Sequence, residues 1–458
     1  MTEPAPETIY ALCTPPGRGG VAVVRVSGPG AAGSFKKLAG VGKTSPPRRA
    51  VLRTLTDPVS RQIIDHALTL FFRSPASYTG EDVVEYHLHG GAAVIESLLT
   101  ALSKMPGHRP AEPGEFTRRA FENGKMDLTA AEAVADLVNA QTELQKQQAL
   151  SQMEGALSSL YDGWREQLIR ALAHMEADIE FPEDDMPSGV TESLRPGLES
   201  LIRELDGHLN DNRRGEILRE GVQIAVIGAP NAGKSSLVNA LARRDAAIVS
   251  PLPGTTRDVI EVHLNLGGYP VILADTAGLR PEQIGEAGHD AVESEGIRRA
   301  LKKAQEADIR LLVFDAAKEP DAATLALAGE NSLIVWNKTD VCPSLVGRGC
   351  SSRARTGEGV SVPISAAAGT GLNELTAALI EKIKFLIGTR ETPALTRRRH
   401  RVALEDCRLS LTRALSTPLP ELAAEDMRLA VRALGRITGR VDVEDVLDVV
   451  FRDFCIGK

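Results

Sequence analysis

No stretch of the 458 residues reaches the ~18 consecutive apolar positions that a membrane-crossing helix needs. The opening segment, Met1 to Glu7, is acidic and proline-bearing where an export signal would be basic and then apolar, so no export is expected and the cytoplasm is the expected location. The five cysteines, Cys13, Cys342, Cys350, Cys407 and Cys455, are odd in number and lack any C-x-x-C spacing, which excludes a disulfide framework and signals no zinc site. Positive charge is not in excess either. The 53 Lys and Arg against 61 Asp and Glu leave −8, which excludes a whole-surface electrostatic grip on nucleic acid and confines any RNA contact to local basic patches or to a shared partner. There is no internal repeat. With 43 % hydrophobic and 25 % charged residues, disorder and collagen-like structure are excluded, and about three globular domains are expected at roughly 150 residues each.

Short β-rich runs at 9–12, 21–26, 66–72 and 83–88, then a helix-like stretch from Ala92 to Met105, mark a small α/β domain. No proline occurs between Pro113 and Pro182, and Leu157, Leu160, Tyr161, Trp164, Leu168 and Leu172 recur at spacings of three and four, as on helices. From Val222 the pattern becomes strand, glycine loop, helix, with further strands at 271–273, 310–314 and 333–336, which is a parallel-sheet pattern ending near Thr389. Helical periodicity then returns, with Leu429, Leu434, Ile437, Val446, Leu447, Val450 and Phe451 on apolar faces. The economical division is an N-terminal α/β domain (1–118), a helical domain in two parts (119–215 and 390–458), and an α/β domain (216–389) inserted at surface loops, where insertions are tolerated. The Gly-, Ser- and Arg-rich segment 347–359 reads as a loop within the insert.

The strongest motif is Gly228-Ala-Pro-Asn-Ala-Gly-Lys-Ser235, a G-x-x-x-x-G-K-S loop between the strand 223–227 and the helix 236–241. Such loops turn backbone N–H groups onto phosphates, which makes Asn231, Ala232, Gly233, Lys234, Ser235 and Ser236 candidate phosphate-binding residues, with Lys234 neutralising charge and the Ser235 hydroxyl a magnesium ligand. Asp275-Thr-Ala-Gly278 ends an apolar strand, where Asp275 can reach magnesium and the Gly278 N–H the γ-phosphate. Between the two, Gly254-Thr255-Thr256 places Thr256 to complete the magnesium shell. Asn337-Lys338-Thr339-Asp340 supplies a carboxylate matched to the paired N–H donors of guanine, and Ser365-Ala366-Ala367 would close over the base. The expected fold of the insert is a P-loop GTPase, Ras-like α/β domain, and its ligand is GTP.

The residue after Gly278 is Leu279, whose apolar side chain cannot orient an attacking water as glutamine would. Glu282, Glu286, Asp290, Glu293 and Glu295 lie in the loop that follows, and any of them offers an acceptor for that water. The amide oxygen of Asn231 offers a ligand for a monovalent cation such as potassium.

The nucleotide motifs resemble those of the TRAFAC-class translation-associated GTPases. Outside the insert, Thr14-Pro-Pro-Gly-Arg18-Gly-Gly-Val21, Gly80-Glu-Asp-Val83, Gly114-Glu-Phe-Thr-Arg-Arg-Ala-Phe121, Lys125-Met-Asp-Leu-Thr-Ala-Ala-Glu-Ala133 and the closing Phe454-Cys-Ile-Gly-Lys458 resemble the MnmE (TrmE) family of tRNA modification GTPases over essentially the whole chain. The resemblance implies a folate-binding N-terminal domain that forms a homodimer, a helical domain interrupted by the GTPase domain, and potassium-dependent pairing of two GTPase domains. It also implies a flavoprotein partner, MnmG, with which an aminomethyl or carboxymethylaminomethyl group is installed on carbon five of the wobble uridine of tRNAs. Residue by residue it implies Asn231, Ser250, Leu252 and Thr255 on potassium, Ser235 and Thr256 on magnesium, and Glu293 as the water-orienting acid. Between Arg280 and Val292 the loop is longer than in the family, which leaves Glu295 open beside Glu293. The implied ligands of a tetrahydrofolate derivative, 5-formyl- or methylene-substituted, are Arg25, Glu85, Lys125 and Lys458. A carboxylate can pair with the adjacent donors of a pterin edge, and Arg or Lys with its carbonyls or glutamate tail.

Cys455 is a candidate nucleophile with no histidine placed beside it in sequence, and a packed thiol is the plainer reading. The run Thr396-Arg-Arg-Arg-His-Arg401 is either a solvated charged face or a contact for tRNA phosphates. Trp164 and Phe454 read as core. Two other functions stay open on the residues alone: a regulatory GTPase switch controlling RNA or ribosome assembly without folate chemistry, and a non-catalytic scaffold.

Overall fold

The computed structural model describes residues 7–180, 190–244, 261–275, 305–341, 361–388, 393–441, 444–452 and 454–457. Alternating burial builds the first sheet. Its strands are β1 (Thr8–Leu12), β2 (Gly19–Ser27), β3 (Val51–Thr56), β4 (Ile63–Phe72), β5 (Val83–Gly90) and β6 (His108–Pro110), with α1 (Ala31–Ala39) after β2 and α2 (Ala92–Ser103) after β5. The order is β3-β4-β5-β2-β1-β6, antiparallel except for the β1–β6 pair. Val24, Val26, Val84, Tyr86 and Leu88 share one face and pack with Phe35 and Leu38 of α1 and Leu98 and Leu102 of α2. Because side chains alternate along a strand, the intervening residues Arg25, Glu85 and His87 fall on the other face, where they are half-buried.

Next come α3 (Glu115–Glu122), α4 (Leu128–Asn139), α5 (Glu143–Met153), α6 (Ala156–Glu180), α7 (Val190–Leu209) and α8 (Arg214–Glu220). Tyr161 and Trp164 of α6 are buried with ring centroids 5.8 Å apart. The second sheet contains β7 (Val222–Ile227), β8 (Glu261–Leu266), β9 (Tyr269–Asp275), β10 (Ile309–Asp315), β11 (Ser332–Asn337) and β12 (Ser361–Pro363), with α9 (Lys234–Arg244) after β7, α10 (Ala322–Leu325) between β10 and β11, and α11 (Leu372–Ile387) after β12. Its order is β12-β11-β10-β7-β9-β8, parallel throughout except for the β8–β9 hairpin. Continuous buried runs at 224–227, 311–314 and 333–335 suit a parallel sheet covered on both faces. Leu237 and Leu241 of α9 and Leu375, Leu379 and Ile383 of α11 share that core.

The chain closes with α12 (Arg398–Ser416), α13 (Pro420–Thr438) and α14 (Glu444–Arg452). Leu128 and Ala131 of α4 pack with Leu447 and Phe451 of α14 and with Phe454, so Phe454 is core as expected. Leu429 is not on an apolar face: it is exposed, because Met427, Ala430, Leu434 and Ile437 occupy the buried side of α13. Contacts divide the chain into two compact units, one of residues 1–135, 153–170 and 428–458 and one of residues 136–152 and 171–427. Among the described residues no helix is long and apolar enough to cross a membrane.

Candidate functional site

In the second sheet, β7, β9, β10 and β11 all end at the same edge, since Val226 pairs with Asp275, Ile227 with Leu312, and Asp315 with Asn337. The carboxyl edge of a parallel sheet, where connections diverge to either side of β7, is where such folds take ligands. The loop 228–233 leaves β7 there and feeds the N-terminus of α9, an end that favours anions.

The loop is shaped by close approach. A β-carbon at Gly228 would collide with the Val313 carbonyl, and one at Gly233, where φ is +92°, with Asn337 Nδ2. Asn231 also has a left-handed backbone, φ +65°, which asparagine tolerates better than most residues. Lys234 is 7 % exposed, and its ammonium donates to the carbonyls of Gly228 at 2.8 Å and Ala229 at 3.1 Å, so the positive charge is folded over the loop. Ala232 is buried, whereas Ser235 and Ser236 are exposed on the first turn of α9.

Asn337, 2 % exposed, ties three distant segments together. Its Nδ2 donates to the Ala232 carbonyl at 2.9 Å, and its Oδ1 accepts from the N–H groups of Lys338 at 2.9 Å and Ala366 at 3.0 Å. Lys338 pairs with Asp315 at 2.8 Å, and although burial pushes the Asp315 carboxyl up, the Lys338 hydrogen bond and the Ala317 N–H hold it below the usual carboxylate range. Sequence reasoning missed Asp315, whose role depends on the β10–β11 register. Ser365 is buried and its hydroxyl accepts from Ala368 N at 3.1 Å, while Ala367 and Asp340 are exposed. The phosphate-loop residues and the base-recognition segments are therefore brought together. This cradle, too tight for side chains at its two glycines and carrying a buried ammonium, fits a nucleoside triphosphate. Ser250, Leu252, Thr255, Thr256, Gly278, Glu293, Glu295 and Lys458 lie outside the described residues, as does the 347–359 loop; of Asp275 the backbone alone is described.

In the first sheet, Arg25 and Glu85 face each other across β2 and β5. Arg25 brings both Nε, at 3.0 Å, and Nη2, at 2.9 Å, to the same oxygen, Glu85 Oε1. The other oxygen, Oε2, stands 3.5 Å from His87 Nε2, which itself has no hydrogen-bond partner. The guanidinium lies 5.3 Å from the Tyr78 ring centroid and 5.5 Å from that of Phe116. A carboxylate oxygen left with its acceptor capacity, an arginine and two aromatic rings form a set that fits a flat heterocycle with adjacent N–H donors. Tyr78 and His87 were not singled out from sequence; Phe116 sits inside the quoted Gly114-Glu-Phe motif. Lys125 donates to the Pro75 carbonyl at 3.0 Å, on the loop that also carries Tyr78. The closing segment reaches the same unit: Ile456 bridges Pro113, and the Cys13 thiol donates to the Gly457 carbonyl at 3.0 Å. Cys455 is exposed.

The basic run 396–401 is neither a solvated face nor open to phosphates over most of its length. Arg397 pairs with Asp136 at 2.7 Å, Arg401 with Asp211 at 2.8 Å and Glu216 at 2.9 Å, and Thr396 and His400 are buried. Burial pushes the Glu216 carboxyl up, but Arg213 and Arg401 outweigh it and hold the group below its usual range. Among the described residues no cluster of His, Cys, Asp or Glu could hold a metal ion.

A family model described as MnmE helical domain matches residues 128–455, and one described as GTP-binding protein TrmE N-terminus matches residues 8–125. The chain is similar to the tRNA modification GTPase MnmE of Parvibaculum lavamentivorans, 53 % identical over 456 residues, covering 99 % of this chain and 100 % of that protein. It is also similar to the mitochondrial 5-taurinomethyluridine-tRNA synthase subunit GTPB3 of Danio rerio, 44 % identical, covering 99 % of this chain and 94 % of that one. Among solved structures it is similar to the G domain of the T. maritima FeoB iron transporter, 26 % identical, covering 36 % of this chain and 99 % of that chain, with a TM-score of 0.26.

Proposed function

The chain belongs to the MnmE family of tRNA modification GTPases, and from that premise we propose that it is a potassium-activated GTPase that acts, as a homodimer in the cytoplasm with the flavoprotein MnmG, in folate-dependent aminomethyl or carboxymethylaminomethyl modification of carbon five of the tRNA wobble uridine. The observation that carries the GTPase part is the Asn337 tie, because it holds the base-recognition segments against the phosphate loop. On this reading residues 1–118 bind folate and dimerise, 119–215 and 390–458 form the helical domain, and 216–389 form the GTPase domain.

Asn231, Ala232, Gly233, Lys234, Ser235 and Ser236 take the phosphates, Asn337, Lys338, Asp340, Ser365, Ala366 and Ala367 take guanine, and Ser250, Thr255, Thr256, Asp275 and Gly278 complete the nucleotide site. Magnesium, held by Ser235 and Thr256, and potassium, held by Asn231, Ser250, Leu252 and Thr255, supply positive charge where negative charge builds on the phosphates. Lys234 adds a fixed ammonium, and Glu293 orients the attacking water in place of a glutamine. Arg25, Glu85, Lys125 and Lys458 hold the tetrahydrofolate derivative, with Glu85 Oε2 accepting from the pterin edge and Tyr78 and Phe116 walling it; Cys455 is kept as a contributory thiol.

The test is twofold. Purified protein is expected to turn over GTP much faster in potassium than in sodium, and Glu293→Ala to slow turnover while nucleotide binding persists. In cells lacking the gene, mass spectrometry of tRNA nucleosides is expected to show loss of the modified wobble uridine, restored by the wild-type copy and not by Lys234→Ala. Equal rates in the two salts would defeat the cation mechanism, and an unchanged nucleoside profile would defeat the modification role.

A further inference from the structure

Between Glu7 and Asp57 the chain carries no aspartate or glutamate, although it has 61 of them in all, and the same stretch holds eight Lys or Arg. In a protein of net charge −8 this is a local reversal of sign. Six of these cations, Lys36, Lys37, Lys43, Arg48, Arg49 and Arg53, follow one another from the last turn of α1 through the connection to β3. The first five are exposed, and among the described residues none of the six forms an ion pair. The Arg53 Nε, shielded from solvent, has no hydrogen-bond partner. The one acidic residue that follows, Asp57, turns an oxygen to the N–H groups of Val59 and Ser60.

The backbone strings these charges along one edge. Thr56 Oγ1 donates to the Leu38 carbonyl at 3.3 Å, which sets the end of α1 beside the end of β3. Arg48 N donates to the Phe71 carbonyl at 2.8 Å, and Val51 pairs with Thr69, which sets residue 48 at the opposite end of β3. The connection therefore travels the length of β3, about 17 Å at ~3.3 Å per residue, and β3 is the outermost strand of its sheet. Arg48 donates to the Ala76 carbonyl at 3.1 Å, which leaves its charge uncompensated. A row of that length, made of cations without ion pairs, suits a partner whose negative charges are fixed at short, regular intervals, which a phosphate backbone provides. A bilayer suits it poorly: Phe35 and Leu38, the apolar side of α1, are fully buried against the sheet, so α1 has no apolar side to insert. Arg25 and Glu85 lie on β2 and β5, so a backbone on this edge passes within about 14 Å of β2, three strand spacings away.

We propose that the edge formed by Lys36, Lys37, Lys43, Arg48, Arg49 and Arg53 is a docking surface for the phosphate backbone of tRNA. It rests on the tRNA-modification reading above for the identity of the polyanion. The experiment compares the full-length wild type with K36Q/K37Q/K43Q/R49Q, four exposed side chains with no described hydrogen bonds, and with the charge-keeping K36R/K37R/K43R/R49K. Binding of fluorescent tRNA is followed by anisotropy at about 50 and about 200 mM KCl. The glutamine variant is expected to bind about tenfold or more weakly at the lower salt, with its log–log salt slope reduced by about two to three, and the charge-keeping variant to match wild type. Unchanged affinity and slope would overturn the proposal and leave these charges the role of keeping an open strand edge from pairing with another copy. Binding to phosphatidylglycerol vesicles in preference to tRNA would overturn it too. Absence of GTP turnover in the wild type would count against the proposed function, and the anisotropy comparison would still decide the docking surface by itself.

Discussion

Replacing Asn337 by alanine removes a buried side chain that joins the phosphate loop to the segment at Ala366. The donor to the Ala232 carbonyl and the acceptor for the Ala366 N–H are lost together, in a place where the side chain is 2 % exposed. A buried polar group left without its partner costs about 1–3 kcal/mol, so two such groups imply a stability loss of about 2–6 kcal/mol, centred near 4. The nucleotide must then order the loop against the base segment on binding. If half of that cost, about 2 kcal/mol, falls on binding, the Kd for GTP rises about thirtyfold. Asn337→Asp is the sharper control. It keeps an oxygen for the Ala366 and Lys338 N–H groups but sets a second oxygen against the Ala232 carbonyl, where the amide now donates across 2.9 Å. It should therefore be at least as damaging as alanine. The assays are fluorescent-GTP titration and urea unfolding of all three proteins. Wild-type affinity in the alanine variant, or an aspartate variant that binds normally, would refute the reasoning.

Lys234→Ala should lower GTP turnover by about two orders of magnitude or more, since it withdraws a positioned charge from the phosphate loop; steady-state kinetics would show whether a residual rate near wild type rules this out. Burial depresses His208 from 6.5 to about 4, with Asp211 opposing and Arg214, Arg401 and His400 assisting. The unfolded chain takes up that proton first as pH falls, so the stabilisation is whole above about pH 6.5 and is lost toward pH 4, on the order of 3 kcal/mol; His208→Gln should flatten that window in urea unfolding. Burial and the charge of Asp406 push the Cys407 thiol up to about 12, whereas Cys455 is exposed. Iodoacetamide at about pH 8 should then label Cys455 and spare Cys407 until the chain is denatured, and fast labelling of Cys407 in peptide maps would contradict its burial. Arg401→Met strips a partner from two buried carboxylates, Asp211 and Glu216, and should cost about 3 kcal/mol, part of which Glu216→Gln in the same chain recovers by removing a buried charge.

The candidate nucleotide site was legible in sequence as a place in the fold because its parts sit at strand ends, and strand ends follow from buried apolar runs. Gly228 to Ser235, Asn337 and Ser365 needed no knowledge of their neighbours to be placed at one sheet edge. Asp315 was not legible, since its pairing with Lys338 depends on the register of β10 against β11. In the first sheet, β2, β4 and β5 announced themselves by β-branched residues, while α1 and β3 did not. Helix α1 is nine residues with a glycine inside it, and β3 alternates Val51, Arg53 and Leu55 with polar or exposed positions, patterns too short or too polar to stand out. Tyr78, on the loop between β4 and β5, escaped because only the fold brings it over Arg25.

Charge shows the same boundary from the other side. The run 396–401 looked available in sequence, yet its partners Asp136, Asp211 and Glu216 stand 261, 190 and 185 positions away, and a distant carboxylate cannot be seen beside an arginine until the chain is folded. Helix α8, which carries Glu216, also contributes Ile217 to the core of the second sheet and leads directly into β7. Arg401 thus holds the entrance to the second sheet against the start of α12, the segment that follows its exit, while Arg397 ties that start to Asp136 of α4, and the charge of both is spent inside the protein. From 36 to 53 the reverse holds: no acid lies within reach along the chain, and folding brings none to pair with these cations among the described residues. What separates a structural clasp from a recognition surface is therefore the count of partners after folding, a quantity that neither the number of arginines nor their spacing contains.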